Sequence, residues 1–195
     1  VSYCYVPRAS HPKLLGMLSG PNAGAAKIDR CLERGAGVIV WTAHLGNWEF
    51  ASRLLEMHGR VVHVARVVEP DKPVERMLRG LMTNPRLEIV DLREGVAATL
   101  RLLHVLRSNG IVAIQGDRVY QGFDASLELF GRETRFPLGP FLLSRVSGAP
   151  VLPGVVLRDG WLRYRVIMGE PIEMPRTADR DADLKSGLTA AVRFL

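Results

Sequence analysis

Apolar runs of four to seven residues alternate along the chain with stretches whose apolar positions recur every three or four residues. Strict runs of this kind indicate buried strands, whereas the recurring positions indicate amphipathic helices. The runs predict four strands, at residues 37–43, 60–67, 87–92 and 111–117. The stretches between them predict helices at residues 47–59, 72–83 and 95–110.

The pattern changes after the fourth strand. Residues 126–130 indicate a short strand and residues 138–149 a helix, and residues 150–172 indicate a hairpin that turns at Asp159-Gly160. Strands alternating with helices predict an α/β fold, with a mixed, largely parallel central sheet flanked by helices and a late antiparallel hairpin. We expect a single domain over residues 1–195 with its core at 35–172.

Composition and charge bear on the binding partners of the protein. The net charge is +6, and 22 of the 26 lysine and arginine residues are arginine, which suits an anionic lipid or an acidic protein partner. A genome that favours arginine codons would give the same excess. No nucleic-acid motif accompanies the charge, so nucleic acid is not an expected partner.

Cysteine usage and the chain ends add context. Cys4 and Cys31 form no CxxC pair or disulfide framework, which indicates a reducing cytoplasm, and no histidine spacing suits zinc, so no metal is expected. The apolar runs are shorter than a membrane span requires. The chain lacks an initial methionine and ends within an apparent amphipathic helix, so we interpret it as a fragment of a longer protein.

Polar residues that directly follow strands are the first candidates for chemistry, because ligands bind beyond the carboxyl ends of parallel strands. His44, Arg66, Asp117 and Arg118 stand at such positions. His58, His63 and His104 fall within predicted elements and are interpreted as structural.

The segment "WTAHLGNWEF" places Glu49 five residues after His44. On one helix these side chains would diverge by about 140°. A working pair therefore requires a turn at Gly46 and a helix capped by Asn47, and the carboxylate would then orient the imidazole as a general base. The alternatives are an ordinary histidine and a Glu49 that only complements a helix N-terminus.

The remaining candidate site residues are arginines that could bind an anion. Arg118 could face a phosphate near His44, or could close the strand in an ion pair with Asp117. Arg132 and Arg135 precede the helix expected from Leu138, where arginine and helix amides could bind an anion. "GPNAGAAK" fails as a P-loop, and neither G-x-G-x-x-G nor G-x-S-x-G occurs, so no nucleotide cofactor or serine nucleophile is expected.

Taken in their order along the chain, several of these motifs together resemble those of the bacterial lipid A late acyltransferases. These are the lauroyl and myristoyl transferases of the lysophospholipid acyltransferase superfamily. The resemblance comprises H-x4-E after a strand, Arg66, Gly116-Asp117-Arg118-Val119 and "LFGRETRFPLGPFLLSRVSGAPVLP", and it runs from about Gly35 to Pro171. The resemblance implies that His44 is the general base oriented by Glu49. It also implies that Arg66 contacts the acceptor's phosphate or the oxyanion, with no cofactor or metal.

The sequence departs from the usual pattern of these enzymes at two places, and both concern the identity of the acceptor lipid. Val119 stands where such enzymes often carry a second acid, and Arg135-Phe136-Pro137 stands where they often carry a threonine-rich stretch. Acceptors such as phosphatidylinositol mannosides or ornithine lipids therefore stay open beside a lipid A precursor.

The leading hypothesis is an O-acyltransferase that moves a fatty acyl chain from acyl carrier protein or acyl-CoA to a hydroxyl of a membrane glycolipid or phospholipid, an anionic lipid such as a lipid A precursor. The resemblance implies peripheral association with the cytoplasmic face of the bacterial inner membrane. A non-catalytic basic docking module and a thioesterase or lysophospholipase with the same dyad are the alternatives.

Overall fold

The computed structural model of the protein describes residues 9–21, 23–68, 73, 86–120 and 122–195; the side chains of Ala23 and Glu49 lie outside that description. The helix expected over 72–83 falls, except for Pro73, outside the described residues. The helices are α1 His11–Gly16, α2 Ala23–Glu33, α3 Trp48–Leu55, α4 Val96–Arg107, α5 Gly139–Ser147 and α6 Arg180–Val192. The strands are β1 Val38–Thr42, β2 Val62–Arg66, β3 Leu87–Asp91, β4 Ile111–Gln115, β5 Asp124–Leu129, β6 Arg132–Pro137, β7 Val151–Arg158 and β8 Tyr164–Met168.

Six of these strands form one sheet in the order β3-β2-β4-β1-β7-β8. Neighbouring strands are parallel from β3 to β7, and β7 and β8 form an antiparallel hairpin. The predicted mixed, largely parallel sheet with a late antiparallel hairpin is therefore confirmed. The parallel order places the carboxyl ends of β1, β2, β4 and β7 along one edge of the sheet.

The two faces of the sheet bury different apolar layers, as the alternation of side chains along a strand requires. On β1, Ile39 and Trp41 pack against α4, α5 and α6, whereas Val38 and Val40 face α2 and α3. Each face is thus covered by helices, which explains why the central strands are apolar at nearly every position.

Helix α1 extends the second layer towards β8. Leu14 is fully buried with Phe50 of α3 and Tyr164 of β8, and the two aromatic rings stack with centroids 4.4 Å apart. The sequence pattern did not predict α1 or α2, because their apolar positions are interrupted by glycine, proline and alanine. Among the described residues, no helix combines the length and apolar character that crossing a membrane requires.

The segment around Arg132, for which the sequence pattern predicted no element, is a strand. Residues 132–137 form β6, which pairs with β5 through a two-residue turn at Phe130-Gly131. Both turn residues have positive φ, +51° and +74°. Such a turn suits the twist of a hairpin, but phenylalanine is not a usual residue in it, so this turn could not be predicted from the sequence.

Candidate active site

His44 continues the alternation of β1 beyond its carboxyl end. Thr42 follows Val40 on the face that meets α2 and α3, and His44, two residues later, lies on that same side. The imidazole therefore emerges at the edge of the sheet rather than in its core, and its side chain is 37% exposed.

Asp117 is brought to His44 by the register of β1 and β4. Thr42 pairs with Gln115, and the N–H of Gly116 donates to the carbonyl of Thr42 at 2.8 Å. Two residues beyond that pair, His44 Nδ1 lies 2.8 Å from Asp117 Oδ1, and the backbone N–H of His44 donates to Oδ2 at 3.0 Å. One carboxylate thus holds both the ring and the main chain of the histidine.

This contact determines what the imidazole can do. When Nδ1–H donates to the carboxylate, the second ring nitrogen, Nε2, carries a lone pair and can accept a proton. The arrangement is that of a histidine base held by an acid, in which the carboxylate fixes the ring orientation and stabilises the imidazolium that forms.

The predicted turn after His44 is confirmed. Gly46 has a φ of +77°, and a Cβ at this position would lie 1.9 Å from the carbonyl oxygen of Val156, so only glycine fits. Asn47 caps α3, since its side chain accepts a hydrogen bond from the N–H of Phe50 at 2.9 Å. Glu49 lies in the first turn of α3, but its predicted contact with His44 falls outside the described side chains.

An apolar cavity of about 620 Å³ opens beside His44, between the sheet and helices α2 and α3. This volume is within the range of about 300–1,000 Å³ that is usual for small-molecule sites. Val40, Val64, Ala113 and Gly154 form part of its floor on four strands of the sheet. Its roof includes Gly24 and Ala25 of α2 and Ala51 and Leu55 of α3.

Two of the predicted arginines reach this cavity. Arg66, at the end of β2, and Arg118, next to Asp117, both line it near His44. Because β2 and β1 flank β4, the two guanidinium groups come from neighbouring strands at the same edge. They can therefore place positive charge beside an anionic group at the mouth.

Arg132 and Arg135 lie elsewhere. Both are on β6, neither lines the cavity, and the Arg135 guanidinium donates to the Asp124 carboxylate of β5 at 2.7 and 2.6 Å. The structure does not bring them to His44, and their role in binding substrate stays a prediction.

Gly116, the residue before Asp117, packs its main chain closely on a buried side chain. A Cβ on Gly116 would lie 1.9 Å from Nε1 of Trp41, which is fully buried beneath it. The indole therefore packs directly on the main chain of residue 116.

Within the described part of the chain, no group of three or more His, Cys, Asp or Glu side chains could hold a metal ion.

The fold and the site define an α/β protein with a histidine–carboxylate pair at the mouth of an apolar cavity. The model of the bacterial lipid A biosynthesis acyltransferase family matches residues 15–186, and the chain belongs to this family. The family resemblance expected from the sequence is thereby confirmed.

Two mycobacterial relatives are described as phosphatidylinositol mannoside acyltransferases. The one from Mycobacterium tuberculosis (strain ATCC 25618 / H37Rv) is 29% identical over 150 residues, which is 76% of this chain and 47% of the relative. The one from Mycolicibacterium smegmatis is 26% identical over 124 residues, 63% of this chain and 40% of the relative. The chain thus spans about half the length of the curated relatives it matches.

The chain also aligns with a solved structure, that of the 1-acyl-sn-glycerophosphate acyltransferase PlsC from Thermotoga maritima. It is 14% identical, with a TM-score of 0.47, and the match covers 98% of this chain and 77% of that one.

Proposed function

We propose that the protein is an O-acyltransferase that moves a fatty acyl chain from an acyl thioester to a hydroxyl of a membrane glycolipid or phospholipid. The observation that carries the proposal is the His44–Asp117 pair, 2.8 Å apart, at the mouth of the 620 Å³ apolar cavity. A base beside an apolar cavity suits a reaction between a hydroxyl and a long acyl chain.

The proposed reaction needs no covalent enzyme intermediate. Nε2 of His44 removes the proton from the acceptor hydroxyl while its oxygen attacks the thioester carbonyl carbon. The tetrahedral oxyanion then collapses and the carbon–sulfur bond breaks, and the leaving thiolate takes the proton from the imidazolium. The products are an ester and a thiol, and His44 returns to its neutral form.

Asp117 is the proposed orienting carboxylate, because it contacts Nδ1 of His44 directly. Glu49, in the first turn of α3, is a second candidate for that role through the H-x4-E spacing. Arg66 and Arg118 would bind the acceptor's phosphate or stabilise the oxyanion, since both line the cavity near its mouth. The floor and roof of the cavity would bind the hydrocarbon of the acyl chain.

The acceptor and donor are part of the proposal. The names of the mycobacterial relatives favour a phosphatidylinositol mannoside as acceptor, while the family description favours a lipid A precursor. Both are anionic membrane lipids, which suits the two cavity arginines. Acyl carrier protein or acyl-CoA would supply the thioester, and we propose that the protein works at the cytoplasmic face of the inner membrane.

The test is a His44→Ala variant assayed with acyl-CoA and each of the two acceptors. Acyl transfer should fall by about 10²–10⁴-fold, which is the usual contribution of a positioned general base. His104→Ala is the matched control, because His104 is exposed on α4, on the other side of the sheet. Full activity in the His44 variant would refute the proposal.

A hydrolase is the second candidate, because an imidazole that is 37% exposed can also activate water. Free fatty acid released at the same rate with and without an acceptor would favour a thioesterase or lysophospholipase. Acyl transfer that requires the acceptor would exclude it.

A further inference from the structure

Exposed apolar side chains follow the strand ends at the edge of the sheet where His44 lies, and two of them, Val67 and Tyr120, also line the cavity. Leu45, Val67, Tyr120 and Trp161 follow the carboxyl ends of β1, β2, β4 and β7, and their exposed fractions lie between 36% and 67%. Single exposed apolar residues are normal, but a group at one edge of a sheet indicates an interaction site. We call these four residues the mouth surface.

The β7–β8 loop, residues 159–163, carries the most exposed member of this surface. Strand β7 continues two residues past Val156, which bridges to Gly46, so the loop projects beyond the turn that follows His44. Trp161 in this loop is 67% exposed. An indole that is largely in water gains free energy when it moves to an interface that is partly apolar.

Contacts within the hairpin hold the indole in this position. The Arg158 guanidinium carbon lies 5.8 Å from the centroid of the Trp161 ring, and its Nε donates to the carbonyl of Gly160 at 3.0 Å. The N–H of Asp159 donates to the carbonyl of Arg163 at 2.7 Å. Trp161 is therefore presented by an ordered loop and does not fold back onto the core.

Positive charge accompanies the apolar groups. Arg118 is exposed on the cavity side of the mouth, and Arg158 and Arg163 are exposed on the β7–β8 loop. The loop's carboxylate, on Asp159, is already paired with Arg165 at 2.8 Å. Tryptophan, tyrosine and arginine together are typical of groups at the headgroup level of a bilayer, and arginine is attracted to anionic lipids.

We propose that the mouth surface docks on an anionic phospholipid bilayer, with Trp161 inserted at headgroup level as the anchor. Docking in this orientation turns the cavity mouth and His44 towards the lipid, so an acceptor hydroxyl can reach the base without leaving the membrane. The inference rests on the proposed function for the lipid acceptor, but the docking itself requires no catalysis.

The test is co-sedimentation of the chain with vesicles of phosphatidylcholine, alone or in an equimolar mixture with phosphatidylglycerol. The wild type should bind the mixed vesicles, and Trp161→Ala should bind them about tenfold more weakly, since a large apolar side chain no longer leaves water. Phe130→Ala is the matched control: Phe130 is 86% exposed at the tip of the β5–β6 hairpin and lies outside the mouth surface. It should change binding by less than about twofold.

Charge is tested separately with Arg163→Ala, which should weaken binding to the mixed vesicles by about fivefold, the usual effect of one basic residue near an anionic surface. Binding of Trp161→Ala equal to wild type, or no binding of the wild type to either vesicle, would overturn the inference. Equal loss in the Phe130 variant, or equal binding to both vesicle types, would do the same. His44→Ala should bind the vesicles like wild type while losing acyl transfer. A wild-type protein that docks but transfers no acyl chain would refute the function and not the surface.

Discussion

At the scale of single residues, His44 requires two hydrogen-bond acceptors, and the carboxylate of Asp117 provides both. The backbone N–H of His44 needs an acceptor at Oδ2, and Nδ1–H needs another at Oδ1. An asparagine offers one acceptor oxygen and one donor group. If its amide nitrogen faced the ring, Nδ1 would have to accept, the proton would move to Nε2, and the base would be lost.

We therefore expect Asp117→Asn to lower kcat for acyl transfer by about 10²–10⁴-fold, with a much smaller change in KM. Steady-state kinetics with acyl-CoA and a lipid acceptor measure both quantities. Asp124→Asn is the control, because the Asp124 carboxylate also accepts hydrogen bonds from a side chain, that of Arg135, but lies away from the cavity. A larger loss of kcat in Glu49→Gln than in Asp117→Asn would assign the orienting role to Glu49.

The sequence placed His44 and Asp117 at strand ends but did not pair them. "GVIVWTAH" and "GIVAIQGD" align residue for residue, so His44 and Asp117 each come seven residues after a glycine. This alignment has meaning only if β1 and β4 are neighbours in register, as they are. Strand order follows from the packing of the whole chain, and local spacing therefore drew attention to Glu49 instead.

At the scale of elements, small side chains create the cavity. Central strands usually carry β-branched residues, yet β4 has Ala113 and β7 has Gly154 at floor positions. A Cβ on Gly154 would lie 2.2 Å from Sδ of Met168, which also lines the cavity. Below this layer, Val38, Ile111 and Leu152 fill the space between the sheet and α2. The depth of the cavity is thus determined by a few residues on neighbouring strands.

Ala113→Leu should shorten the cavity and shift acyl preference towards shorter chains, because the added side chain occupies the floor. We expect the ratio of rates for a short-chain and a long-chain acyl-CoA to rise by about tenfold or more, since each methylene that loses its apolar contact costs about 0.8 kcal/mol. Val112→Ile is the control: Val112 is fully buried on the opposite face, so the extra methylene does not reach the cavity. An unchanged ratio in the Ala113 variant would mean that the acyl chain binds elsewhere.

Most strands and helices within the described residues could be predicted, because burial on both faces leaves continuous apolar runs. Strand β1 and the turn at Gly46 are examples, as is the hairpin at Asp159-Gly160. Strand β6 could not be predicted, since its residues alternate charge with threonine and phenylalanine, and it pairs only with β5. Its position comes from the Phe130-Gly131 turn, whose backbone conformation the sequence did not signal.

At the scale of the whole molecule, several groups titrate differently in the folded and unfolded chain. A hydrogen bond from Arg93 lowers the pKa of Asp91 to about 2. Burial opposes the charge of Asp183, but hydrogen bonds from Thr177 and Arg145 outweigh it and hold the pKa of that carboxyl below its ordinary value. Burial lowers the pKa of His63 below 6.5, against the opposing effect of Glu88.

These pKa shifts predict that the free energy of unfolding falls in two steps as the pH is lowered. The unfolded chain binds a proton at His63 as pH falls through about 6.5, and at Asp91 and Asp183 as pH falls below about 4, before the folded chain does. The free energy of unfolding, measured with urea from pH 8 to 3, should therefore decline below about 6.5 and more steeply below about 4. Asp183→Asn should be less stable at neutral pH but lose less stability on acidification, because its folded and unfolded states no longer differ at this site. A variant that declined as steeply as wild type below about pH 4 would show that the Asp183 carboxylate does not drive the acid transition.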